Sequence, residues 1–157
     1  MSRYTRSVLQ PDERVTFEGR LHWVMYLPGV WWLIVGAAVV VLVRMFDRDG
    51  TIFGPYANLL AVPFVLPGLY RIAKAAFIQW ITEIVVTDRR VIQKTGFIAR
   101  DTAEMNIHQV ESVEVTQTVV GRILGYGTIR VHGTGHGLEA LAFVASPLKL
   151  RTAITAR

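Results

Sequence analysis

The chain has 157 residues, room for about one globular domain and a short extra module, and 52% of them are hydrophobic. It has no cysteine, which excludes a disulfide framework and thiolate metal centres. Its formal net charge of +5 is absent from two long apolar stretches, a distribution that favours attraction to anionic lipid over nucleic acid.

Residues 1–23 read as a cytoplasmic N-terminal arm carrying Arg3, Arg6, Arg14 and Arg20, without the apolar core and small-residue cleavage site of a secretory signal. Within the arm, Val15, Thr16, Phe17 and Glu18 alternate apolar and polar side chains, as a short strand or an extended surface segment would. Residues 24–43 follow, twenty positions without a charge. As a helix they reach about 30 Å, enough to cross the hydrocarbon of a bilayer. Trp23 and Tyr26 stand where such a helix passes the headgroup layer. Trp31 and Trp32 lie deeper and are expected to pack against a second span.

After a loop in which Arg44 and Arg48 are balanced by Asp47 and Asp49, residues 52–70 form that second apolar stretch. Pro63 and Pro67 remove backbone donors there, so a kink is expected. The helix is expected to continue to about residue 80, with Arg71 and Lys74 one turn apart at the inner surface and Trp80 at its end. Positive residues in the arm and after Tyr70 place both termini on the cytoplasmic side. Residues 24–80 thus read as a transmembrane hairpin.

From residue 81 the hydrophobic period changes from about 3.6 to 2. Short strands read at 84–87, 91–94, 97–101, 103–107, 111–116, 127–132 and 139–144, with turns at Asp88-Arg89-Arg90 and Thr95-Gly96. Ala103, Met105 and Ile107 point one way, as do Val113 with Val115, Ile129 with Val131, and Leu141 with Phe143. The alternation describes an antiparallel sheet with one buried side, curled into a sandwich or partly open barrel. Val119, Val120, Ile123 and Leu124 fall at helical spacing before Gly125, and Ser146-Pro147 opens a last helix in which Leu150 and Ile154 pair.

The runs TDRRVIQKTGFIARDTAEMNIHQVESVEV, VVGRILGYGTIRVHGTG and SPLKLRTAI resemble the bacterial PH-domain family often found behind paired membrane helices. The likeness covers about half the chain, residues 87–154, and extends to the preceding hairpin with its FEGRLHW entry. It implies a PH-like fold of seven strands and a C-terminal helix over residues 81–157, no established catalysis, and ring-forming homo-oligomers among soluble members. The expected whole is an α+β membrane protein of the bacterial inner membrane.

Among candidate sites, Arg89, Arg90, Lys94 and Arg100 surround the first hairpin, where PH domains of similar fold grip inositol phosphates. The K-x_n-[KR]-x-R pattern of those lipid binders is missing, so TDRR reads equally as structural, with Asp88 shaping the turn and an arginine reaching an acidic neighbour. His132 and His136 stand four apart, but they lie in a glycine-rich hairpin tip where that spacing does not bring imidazoles together, and no third ligand is fixed nearby in sequence, with His108 a candidate partner only. No metal and no cofactor are expected. Neither a phosphate-binding glycine motif nor a supported hydrolase triad is present. A non-catalytic scaffold or protein-interaction module is the leading reading, with lipid, a second copy or another membrane protein as partner. Anionic headgroup sensing is the alternative, and a metal-dependent enzyme through His132 and His136 ranks below both.

Overall fold

In a computed structural model the chain forms two units, one made of the residues up to His22 together with those from Gln79 onward, the other of Trp23–Ile78. The structure describes residues 13–49, 52–96, 101–134, 138 and 140–155. The expected strand at 97–101 therefore lies almost wholly outside the described residues.

The second unit is a pair of helices. A 3-10 turn over Trp23–Tyr26 leads into α1 (Leu27–Phe46), and a second over Gly54–Ala61 leads into α2 (Val62–Ile81). Each α-helix has 20 residues and, with its leading turn, is long and apolar enough to cross a membrane. Pro63 falls in the first turn of α2, where no backbone donor is required, and only Pro67 lies inside the helix. Glycines bring the helices together: a Cβ on Gly29 would sit 2.9 Å from the carbonyl oxygen of Gly68, and one on Gly68 would sit 2.8 Å from Leu33. Small residues at a crossing are how apolar helices approach closely where water supplies no driving force.

Beside that crossing Trp32 packs against Phe64, ring centroids 6.0 Å apart, and the guanidinium of Arg71 lies 5.3 Å over the Trp32 ring. Trp31 does not share this packing and is 66% exposed, because successive helical residues point about 100° apart and only one of the two can face the neighbouring helix. Asp47, expected merely to balance an arginine, is buried and staples the loop by accepting the backbone N–H groups of Ile52 (3.1 Å) and Phe53 (2.7 Å).

The first unit holds seven strands among the described residues. An antiparallel sheet of order β1-β2-β3-β4 contains β1 (Val15–Gly19), β2 (Glu83–Thr87), β3 (Arg90–Thr95) and β4 (Asp101–Asn106). The other sheet pairs β5 (Val110–Thr116), β6 (Tyr126–Gly133) and β7 (Leu141–Ala145). The arm thus supplies a strand, and it serves both sheets: beyond β1, Leu21 bridges Val144 of β7, His22 N–H donates to the Phe143 carbonyl, and Ala145 N–H donates to the Arg20 carbonyl.

Between the sheets lies one apolar core of Ile84, Val86, Val91, Met105, Ile129, Val131, Leu141 and Val144, closed by Leu150 and Ile154 of α4 (Pro147–Thr155). Strict alternation fails in β7, where Leu141 and Val144 are buried and Phe143 turns outward at φ 57°. Two steps along β6, from Gly127 to Ile129, face three along β7, from Val144 to Leu141, so β7 carries an extra residue there, and such a bulge moves the following side chains to the other face. Ala103 is exposed although Met105 and Ile107 of the same run are buried. Ser146 precedes Pro147 as expected, yet adopts a left-handed φ of 52° instead of the extended conformation of a usual N-cap.

The two units give separate tests. Leu150→Ala, at a fully buried site, is expected to cost about 2–5 kcal/mol and lower the denaturant midpoint of the sheet unit. Gly29→Leu forces the helix backbones apart and should make the pair come apart at a lower SDS fraction, followed by tryptophan fluorescence in detergent.

Candidate functional site

The turn from β2 to β3 carries the motif Thr87-Asp88-Arg89-Arg90. Thr87 is fully buried, and its hydroxyl accepts the Arg90 N–H at 3.0 Å while donating to Glu13 Oε1 at 2.7 Å. Asp88 ties the turn to the arm twice: its N–H donates to the Arg14 carbonyl (3.1 Å), and its Oδ1 accepts the Arg14 N–H (3.1 Å).

Arg90 then reaches two carboxylates. Its Nε donates to Glu13 Oε1 at 2.9 Å and its Nη2 to Glu13 Oε2 at 2.7 Å, a two-pronged contact that matches guanidinium to carboxylate geometry. Its Nη1 donates to Glu104 Oε2 at 2.7 Å on β4. The Glu13 side chain is wholly buried. The hydrogen bonds from Arg90 to Glu13, outweighing partial burial and aided by the charge of Glu104, raise the Arg90 pKa above its ordinary value. A raised value means that this stabilisation is fully present below the ordinary arginine range and is lost only as pH climbs through the raised value.

The remaining hairpin cations are placed differently. Arg89 is exposed and its carbonyl accepts the Ile107 N–H at 2.9 Å; Lys94 is half-buried on β3 between Glu83 of β2 and Thr102 of β4. Arg100 lies outside the described residues. Glu13, which completes the Arg90 cluster, was not evident in the sequence; its only signal was the acidic neighbour that an inward arginine requires.

On the outer face of the second sheet, Glu114 of β5 lies 3.6 Å from Arg130 and 3.7 Å from His132 of β6, all about half exposed. His136 lies outside the described residues and His108 is exposed in a 3-10 turn (Ile107–Gln109). Among the described residues no three histidine, aspartate or glutamate side chains converge as a metal site would require. Of the residues expected at a membrane interface, Trp23, Lys74 and Trp80 are exposed, Tyr26 is half-buried at the start of α1, and Arg71 lies against Trp32.

A four-stranded and a three-stranded antiparallel sheet enclose one core, with a helix across it, as the sequence resemblance implied. A family model described as bacterial PH domain matches residues 24–156. The chain belongs to the bacterial PH domain family. Comparison with curated proteins and with solved structures finds no match. The family match begins after β1, so this PH domain draws its first strand and Glu13 from residues ahead of the matched region.

The geometry makes TDRR a clasp for the PH domain's own N-terminal ribbon. Arg90→Ala strands the buried Glu13 carboxylate and should destabilise the domain by about 3–5 kcal/mol in chemical denaturation. Glu104→Ala, at the exposed end of the same guanidinium, should cost less than about 1 kcal/mol.

Proposed function

We propose that this PH domain is held at the cytoplasmic face of the bacterial inner membrane by its helical hairpin, and that it acts there without catalysis as a scaffold that assembles with itself or recruits another membrane protein. The observation that carries the two-pass arrangement is the pairing of β1 with β2. These strands flank the two helices in sequence yet share one sheet, so any membrane crossings between them must be even in number. The helices supply two such crossings, and they leave large side chains such as Trp31, Leu42, Leu66 and Leu69 uncovered, as lipid contact requires. Four arginines in the arm, with Arg71 and Lys74 beyond the second apolar stretch, support the cytoplasmic assignment.

Recognition of anionic headgroups by Arg89, Arg90, Lys94 and Arg100 is the second reading. The exposure of Arg89 supports it, whereas the commitment of Arg90 to two carboxylates inside the fold counts against it.

The protein should stay in the membrane pellet after an alkaline carbonate wash. Single cysteines at Thr16 and Thr152 should react with an impermeant maleimide only after cells are opened, and one at Arg48 should react in intact spheroplasts. Labelling of Arg48→Cys and Thr152→Cys from the same side would overturn the two-pass arrangement. Native mass spectrometry of the gently extracted chain should find more than one copy or a bound membrane protein, and a clean monomer would overturn the scaffold role.

A further inference from the structure

The run VVGRILGYG forms a short helix, α3 (Val119–Leu124), between β5 and β6, and its apolar side faces outward. Ile123 is 79% exposed and Val119 76%, with Val120 also exposed. Helical spacing gathers these side chains and Leu124 into one stripe.

Several contacts hold the helix in this attitude. Gly121 is buried, and a Cβ there would lie 2.7 Å from the Tyr126 carbonyl oxygen, so this face alone can sit on the domain. The Thr118 hydroxyl caps the start by accepting Gly121 N–H at 3.0 Å, and Gly125 ends the helix at φ 77°, a left-handed value that glycine adopts without strain. The Gln117 amide donates to the Tyr126 carbonyl at 2.9 Å. The helix cannot roll its aliphatic side chains inward without losing these bonds.

We infer that α3 is a wedge that inserts its aliphatic stripe into the interfacial layer of an anionic bilayer. Charge is the first support: Arg122 on α3 and Lys149 on α4 line one groove of about 290 Å³ together with exposed Leu148, giving the stripe a basic rim. Position is the second. The Tyr126 ring beside Gly121 lies 5.5 Å from the His22 ring and 6.0 Å from that of Phe143, and His22 is the last residue of the domain before the chain enters the hairpin. The wedge thus stands at the end of the domain from which the chain departs for the membrane. A second copy fits this patch less well, because a two-fold contact would set Arg122 against its own copy, and a six-residue helix offers far less than the roughly 800 Å² per partner of a stable interface.

The inference rests on the membrane anchoring proposed above, and the test separates the two. Because the full chain has no cysteine, single cysteines at Ile123, Glu111 and Val41 can each carry a small environment-sensitive dye in vesicles of phosphatidylcholine and phosphatidylglycerol. Glu111 is exposed near the opposite end of β5 from α3, about 17 Å along the strand from Thr116, and serves as the water-accessible reference. Nitroxide lipids should quench the dye at 123, and a water-borne quencher should reach it at least about threefold less well than at 111. With the 123 dye, Arg122→Gln/Lys149→Gln should remove the dependence of this quenching on phosphatidylglycerol. With the dye at 119 instead, Ile123→Glu should restore water access.

Lipid quenching at 41 with full water access at 123 would overturn the wedge and leave the anchor standing. Protection at 123 from both quenchers would mean a protein contact and would also overturn it. Absence of lipid quenching at 41 would overturn the anchor itself and the wedge with it.

Discussion

The fold depends on a ribbon of ten residues, 13–22, that joins one sheet and bridges the other. Its first half pairs with β2, and its second half bridges β7, so the ribbon closes the gap between a four-stranded and a three-stranded sheet. Closing that contact costs the entropy of a long loop, since Gly19 and Ile84 are partners across more than sixty residues. The Glu13–Arg90 pair and the two Arg14–Asp88 hydrogen bonds offset this cost at the start of the ribbon, and burial of Phe17 and Leu21 against the core offsets more of it further along. The hairpin is in effect the connection between two neighbouring strands of one sheet.

That connectivity separates the basic residues by role. Arg90 serves the interior, Arg71 is laid over Trp32, and Arg122 and Lys149 stand at a groove beside exposed aliphatic side chains. A net charge of +5 says nothing about this division. The same holds for the glycines: Gly29 and Gly68 let two helices meet, whereas Gly121 seats a helix on the sheet with its apolar side outward.

Much of the architecture was legible because local patterning and global fold agree. The apolar stretches became helices: the first α-helical part runs over Leu27–Phe46, displaced toward the C-terminus from 24–43, and the second begins only at Val62 but ends at Ile81, close to the expected end near residue 80. Each begins with a 3-10 turn, and hydropathy does not distinguish a 3-10 turn from an α-turn. The short helix at 119–124 and the helix opening at Pro147 stand where capping residues and spacing put them. Alternation in β7 misled at Phe143 because periodicity assumes unbroken pairing, and the extra residue that β7 carries opposite β6 shows only when the two strands are paired.

The sequence by itself determined the apolar helices, the antiparallel strands, the family and the structural option for TDRR, because each is written in residues close together along the chain. Only the tertiary structure decided that the arm supplies a strand of one sheet and a bridge to the other, that Glu13 is the acid Arg90 reaches, and that residues 119–124 turn their aliphatic side outward. Those depend on contacts between residues far apart in sequence, and composition and period carry no record of which distant group a side chain will meet. The stretch at 24–43 is accordingly one arm of a connection whose two ends the fold holds side by side.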